Sequence, residues 1–177
     1  MWYPPKVTTP PTEPVSVAEA KRQCNVLHDD DDALFAALIS AARDHVERYC
    51  GTPLAQQTVE VKCDSFCDMA RLPIAPVSDV DIEYVATDGT EQTVPDAAYE
   101  LRADGLDASV VPAYGQNWPA TRPRSRIVVT AIVGYETLPA SIRHAMLLWI
   151  AEAYLNRENA ETPEWTAFDA LLTNYRR

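Results

Sequence analysis

The chain has 177 residues, 47% hydrophobic and 23% charged. That composition excludes a disordered polymer and is enough for one buried core. The formal net charge is −11, and residues 52–137 carry six Lys or Arg against thirteen Asp or Glu, which argues against a tight grip on a phosphate backbone. No apolar stretch approaches transmembrane length, and Met1-Trp2-Tyr3-Pro4-Pro5 lacks the basic start and apolar run of a signal peptide. The expectation is a single α+β domain over residues 1–177, cytosolic when made, with no membrane partner.

Residues 1–14 contain Pro4, Pro5, Pro10, Pro11 and Pro14. Each proline lacks an amide donor, so the segment reads as an extended arm. Ser16-Val17-Ala18-Glu19 has capping-box spacing, and Val17, Ala20, Cys24 and Leu27 share a helical face, which predicts a short helix. A second helix is expected to begin within Asp29–Asp32, where carboxylates favour the positive end of the helix dipole and can cap free amides. Phe35, Leu38, Ile39, Ala42, Val46 and Tyr49 form its apolar stripe, and Gly51 is placed to end it. Residues 16–51 are thus a helical region.

From residue 52 to 137 the hydrophobic period changes to two, predicting a β-rich insertion. Val59, Val61 and Cys63 alternate, as do Val80, Ile82 and Tyr84; Asp88-Gly89 is a hairpin signal before residues 90–94; residues 99–101 and 126–133 supply two more strands. Residues 104–125, rich in Pro, Gly and Asn, read as a long loop carrying Tyr114, Trp118, Arg122 and Arg124, with Arg126 just beyond. Loops of that length in a compact domain are usually functional. Here the alternatives are a surface loop anchored by Trp118 and a contact between subunits.

Residues 138–177 return to helical spacing. Leu138-Pro139 opens a long helix through Arg157, with one stripe formed by Ile142, Ala145, Met146, Trp149 and Ala153 and a second by Leu147, Leu148, Ala151 and Leu155. A helix apolar on most of its circumference is covered on several sides, at the centre of a core or between subunits. Thr162-Pro163-Glu164 then opens a short C-terminal helix with Trp165, Phe168, Leu171, Leu172 and Tyr175 on one face.

The chain holds few residues spaced for chemistry. The five glycines form no phosphate-binding loop, and His28, His45 and His144 are scattered. Asp44 and His45 are adjacent, and adjacent helical residues point about 100° apart, so they make no catalytic couple. Asp79 and Asp81 suit a solvated strand face. Cys24, Cys50, Cys63 and Cys67 lack the usual paired zinc spacing and read as free thiols. The run Asp29–Asp32 lacks the alternating ligands and glycine of a calcium loop, which favours capping over a metal. No catalytic residue, cofactor or metal site is therefore expected. The rival from another functional class is a small metal-dependent enzyme using Asp29–Asp32 with His28.

Three separated stretches carry a resemblance. The first is Val15 to Lys21, Asp29–Asp32, Leu34, Leu38 to Arg43, Val46-Glu47, Tyr49 and Gly51-Thr52-Pro53-Leu54. The second is Gly134-Tyr135, Leu138-Pro139, Ile142-Arg143, Ala145 and Tyr154 to Glu158, and the third is Leu171-Leu172 with Tyr175-Arg176. In this order the chain resembles the tailed-bacteriophage head-tail connector family, in its longer prophage and gene-transfer-agent form. The resemblance implies a helical core with a β-rich insertion and a homo-oligomeric, twelvefold ring under the portal protein. That ring would sit at the neck of a virion assembled in the host cytoplasm, above a stopper or tail-completion protein, with DNA passing through unbound. A stopper or tail-completion ring is the rival in the same class.

The resemblance also gives the apolar faces candidate roles. Trp165, Phe168, Leu171, Leu172, Tyr175 and Arg176 are candidates to dock on the portal, the alternative being that this helix packs on the chain's own long helix. Trp2, Tyr3, Tyr114, Trp118, Arg122 and Arg124 are candidates for contacts between subunits.

Overall fold

In a computed structural model that describes residues 1–156 and 166–177, the period-two segments pair into sheets and the period-3.6 segments form helices. The strands are β1 (Lys6–Thr9), β2 (Gln57–Cys63), β3 (Val77–Val85), β4 (Glu91–Thr93), β5 (Tyr99–Asp104), β6 (Asp107–Pro112) and β7 (Ile127–Val133). The helices are α1 (Val17–Gln23), α2 (Asp32–Cys50), α3 (Ala140–Leu155) and α4 (Ala167–Leu172). The fold is α+β, with a β-rich insertion in a helical chain. Where the sequence suggested a single domain, the contacts gather into two compact units: Met1–Pro11 with Gln56–Gly134, and Thr12–Ala55 with Tyr135–Arg177.

The β unit is built on a five-stranded sheet in the order β1-β2-β7-β3-β4, every neighbouring pair antiparallel. Alternation puts Val59, Val61 and Cys63, Val80, Ile82 and Tyr84, and Ile127, Val129, Ala131 and Val133 into one buried cluster. Phe66, Met69 and Leu72 of the following turn join that cluster, as do Ala108 and Val110 of the separate β5-β6 hairpin. Each such aliphatic burial contributes about 1.5–3 kcal/mol, so the insertion has a core of its own.

The arm is extended, and part of it, β1, pairs with β2 as an edge strand with all four of its residues exposed. The loop over 104–125 is shorter than expected: β6 occupies Asp107–Pro112, where Ala108 and Val110 alternate inward. Asp104 pairs with Asp107 across a tight turn, and Gly105 takes the positive φ of +64° that the turn requires.

The helical unit follows its capping signals closely. Ser16 accepts from the amide of Glu19, and the Glu19 carboxylate accepts from the amide of Ser16, the reciprocal capping box. Gly51 ends α2 in the left-handed conformation at φ +70°. Asp31, preceding α2, makes no side-chain capping bond and instead accepts from the Tyr154 hydroxyl at 2.6 Å. Phe35, Ile39, Ala42, Val46 and Cys50 of α2 pack with Ile142, Ala145, Met146 and Ile150 of α3, and Leu172 of α4 completes the cluster. Leu147, Trp149 and Tyr154 lie partly buried around the same cluster, so α3 is covered on several sides by α1, α2 and α4. The expected start of the C-terminal helix at Pro163, its cap Thr162 and the end of the long helix at Arg157 lie outside the described residues. In the described part, Thr166 caps α4 through a second reciprocal box with Asp169.

Candidate assembly surfaces

The described apolar docking candidates of the C-terminus turn inward within their own unit. Leu172 is fully buried, and Phe168, Leu171 and Tyr175 are partly buried against the helical core. The Phe168 ring lies 5.3 Å from His45 and 5.4 Å, edge-on, from Tyr49. Tyr49 donates its hydroxyl to Asp169 at 2.9 Å, and the Arg176 guanidinium sits 4.9 Å over the Tyr49 ring. The chain end continues this clasp, the Arg177 amide donating to the Cys50 carbonyl at 2.9 Å. What α4 and the residues after it leave outward is Ala167, Ala170, Thr173, Asn174, Arg176 and Arg177. Trp165 lies outside the described residues.

In the β unit the six candidates for subunit contacts divide into anchors and exposed groups. The Trp2 indole N–H reaches the carbonyls of Asp68 and Arg71, at 3.1 and 2.9 Å. The Tyr3 hydroxyl donates to Asp64 at 3.0 Å, while the Arg126 guanidinium lies 4.0 Å over its ring. Trp118 stacks on Phe66, centroids 4.6 Å apart and planes only 4° from parallel, as an anchoring residue should. Thr121 bridges to Ala86 and the Arg122 amide donates to the Val85 carbonyl at 2.9 Å, so the loop is pinned again after Trp118. Arg122 and Arg124 have exposed side chains, Arg124 at a φ of +68°.

Tyr114 is different: its side chain is wholly exposed, at 102% relative accessibility. It sits in a turn closed by the Gln116 amide on the Ala113 carbonyl at 2.9 Å, with Gly115 at φ +76°. The braced turn holds this large aromatic ring fully in solvent.

The sheet face opposite the buried cluster carries Glu60, Asp79, Asp81 and Glu83, as alternation requires. Asp81 aligns with Thr130 and, one strand further, with Glu60, which pairs with Lys62 at 3.1 Å. At the β4 edge the face dips into a groove of about 200 Å³ between Glu83, Val85, Glu91, Thr93, Arg126 and Val128. Asp79 and Asp81 alone do not reveal this groove in the sequence; the available signal is that their alternation extends to Glu83.

Elsewhere the acidic run is spoken for. The Lys21 ammonium holds Asp29 at 2.6 Å and Asp32 at 2.7 Å, which raises the lysine's pKa and lowers that of Asp29. Among the described residues no group of three His, Cys, Asp or Glu side chains is arranged to hold a metal ion, and no helix is long and apolar enough to cross a membrane.

Comparison with known proteins bears out the family resemblance. Residues 14–80 match the model of the phage gp6-like head-tail connector protein family, a span running from the α1 cap to the middle of β3. No curated protein matches the sequence. Among solved structures, the fold is similar to a chain from the neck of an empty GTA particle computed with C6 symmetry, at a TM-score of 0.79 and 22% identity, covering 98% of this chain and 95% of that one. It is also similar to a chain from the virion of a native gene transfer agent (GTA) particle, at a TM-score of 0.78 and 24% identity, covering 97% and 94%. A third match is a chain from the neck of a native GTA particle computed with C12 symmetry, at a TM-score of 0.72 and 22% identity, again over 97% and 94%.

Proposed function

For a chain that carries the head-tail connector signature over residues 14–80 and shares its fold with gene-transfer-agent neck chains, we propose a structural, non-enzymatic role as a head-tail connector of a phage-like particle. The observation that carries this reading is the family match, which covers α1 and α2 of the helical core and runs on through β2 into β3.

In this role copies of the chain form a closed ring, twelvefold like the symmetry of the native neck, between the portal protein and a stopper or tail-completion protein. DNA passes through without being held. The acidic outer face of the sheet and the net charge of −11 support this, since phosphate binding requires basic side chains that displace counterions. Portal docking through the C-terminus uses its outward residues, Arg176 foremost, because the apolar stripe of α4 is committed to its own core.

Deleting the gene in a particle-producing host tests the proposal. DNA-filled heads and separate tails are expected, with joining restored by the intact chain. Complete, tailed particles in its absence would overturn it.

A further inference from the structure

We infer that Tyr114 of one copy inserts into the groove between β3 and β4 of a second copy, forming the knob and hole of a head-to-tail contact between β units. The inference rests on the ring reading above and names the contact that would close the ring.

Tyr114 is wholly exposed, so it does not occupy the groove of its own chain, and its turn is braced on one side by the Ala113–Gln116 hydrogen bond and further along by the Trp118–Phe66 stack. A rigidly presented tyrosine gives a large contact area at small entropic cost. The groove, about 200 Å³, has room for one aromatic side chain. Its apolar lining includes Val85 and Val128, half-buried; its polar lining is Gln92, Thr93 and Arg126 together with Glu83 and Glu91, both exposed and without an ion pair among the described residues. A tyrosine suits that combination: the ring packs on the valines and the hydroxyl donates to a carboxylate.

Charge points to the same occupant. Ten residues beyond Tyr114 on the same loop, Arg124 is exposed and makes no ion pair among the described residues. Asp79, Asp81, Glu83 and Glu91 likewise lack cationic partners there. A second copy of this chain supplies both the aromatic knob and, in Arg124, a positive charge for this acidic face beyond the groove's own Arg126. Knob and hole are different patches of one surface, so the contact is heterologous and propagates around a ring.

The test places the photo-crosslinking residue p-benzoylphenylalanine at position 114 of the full chain in the particle-producing cell, with isotopically mixed copies so that crosslinks within and between chains are told apart. The expected result is a crosslink between copies, mapping to residues 83–93 or 126–128 and reduced about tenfold or more by the double variant Glu83→Lys, Glu91→Lys. A thermal midpoint matching that of the parent chain verifies that each variant is folded. A crosslink within one chain, to another segment of a second copy, to a different protein, or none at all from assembled particles would overturn the inference. If the ring assembles while the crosslink falls elsewhere, the knob and hole fail and the connector reading stands. If the chain is absent from the particle, the connector reading itself fails.

Discussion

One carboxylate oxygen of Glu47 accepts the backbone N–H of Leu54 at 2.9 Å, while the other receives the Arg43 guanidinium at 3.2 Å. Arg43 also reaches Glu13 at 3.1 Å, so three charged side chains tie the segment before α1 and the turn after Gly51 to one face of α2. These are charge-assisted bonds between largely shielded groups, Arg43 and Glu47 being 17% and 18% exposed. Glu47→Ala should cost about 1.5–3 kcal/mol and Glu47→Gln less, since an amide oxygen still accepts from Leu54. Denaturant titration of the two variants checks the order, and equal stability would show that the Leu54 bond contributes nothing.

Leu172 is expected to matter as a core residue. Leu172→Ala removes a fully buried side chain and should destabilise by about 2–5 kcal/mol, whereas Arg176→Ala, at the surface, should leave the melting midpoint within about 2 °C. The clasp is also acid-sensitive. Bonds from Thr166, side chain and backbone, hold the Asp169 carboxyl below its usual range, as the Ser16 and Thr90 amides do for Glu19 and Asp88. A carboxyl with a depressed folded pKa stabilises fully above its unfolded value and loses that contribution as pH falls through the folded one. Urea midpoints should therefore be level near neutrality and drop below about pH 4, less steeply in Asp169→Asn.

The thiols should separate by accessibility. Burial pushes Cys50 and Cys63 up to about 11, and raises Cys24 as well, while Cys67 is exposed. At pH 8 a thiol reagent should label Cys67 first and reach Cys50 and Cys63 only on unfolding, because the thiolate is the reactive form. Mass spectrometry of the labelled protein reads this directly; fast labelling of Cys50 would contradict the closed helical core.

The outer sheet face gives a prediction about DNA. The purified chain should show no gel shift with duplex DNA at physiological salt, and Asp79→Lys with Asp81→Lys should introduce weak, salt-sensitive binding. Sub-micromolar binding by the unaltered chain would remove the argument for a passive channel wall.

Signals that act locally were readable from sequence. Ser16 and Glu19 cap α1 within a single turn, Gly51 ends α2, and the alternation of Val59, Val61 and Cys63 fixes which face of β2 is buried. Signals requiring knowledge of what covers a face were not. The stripe Phe168, Leu171, Leu172 and Tyr175 identifies an apolar face, but periodicity is the same whether a partner or the chain's own α2 and α3 bury it. Asp104-Gly105 was a hairpin turn read as the start of a loop, which hid β6. The groove combines residues 83–85, 91–93, 126 and 128, and only the register of β3 against β4 and β7 brings them together.

The most direct test of the connector reading is cryo-electron microscopy of the purified particle at the head-tail junction. The expected result is a ring of copies of this chain, each with the seven strands and four α-helices described, between portal and tail. A neck built from another fold, with this chain absent from the particle by mass spectrometry, would contradict it.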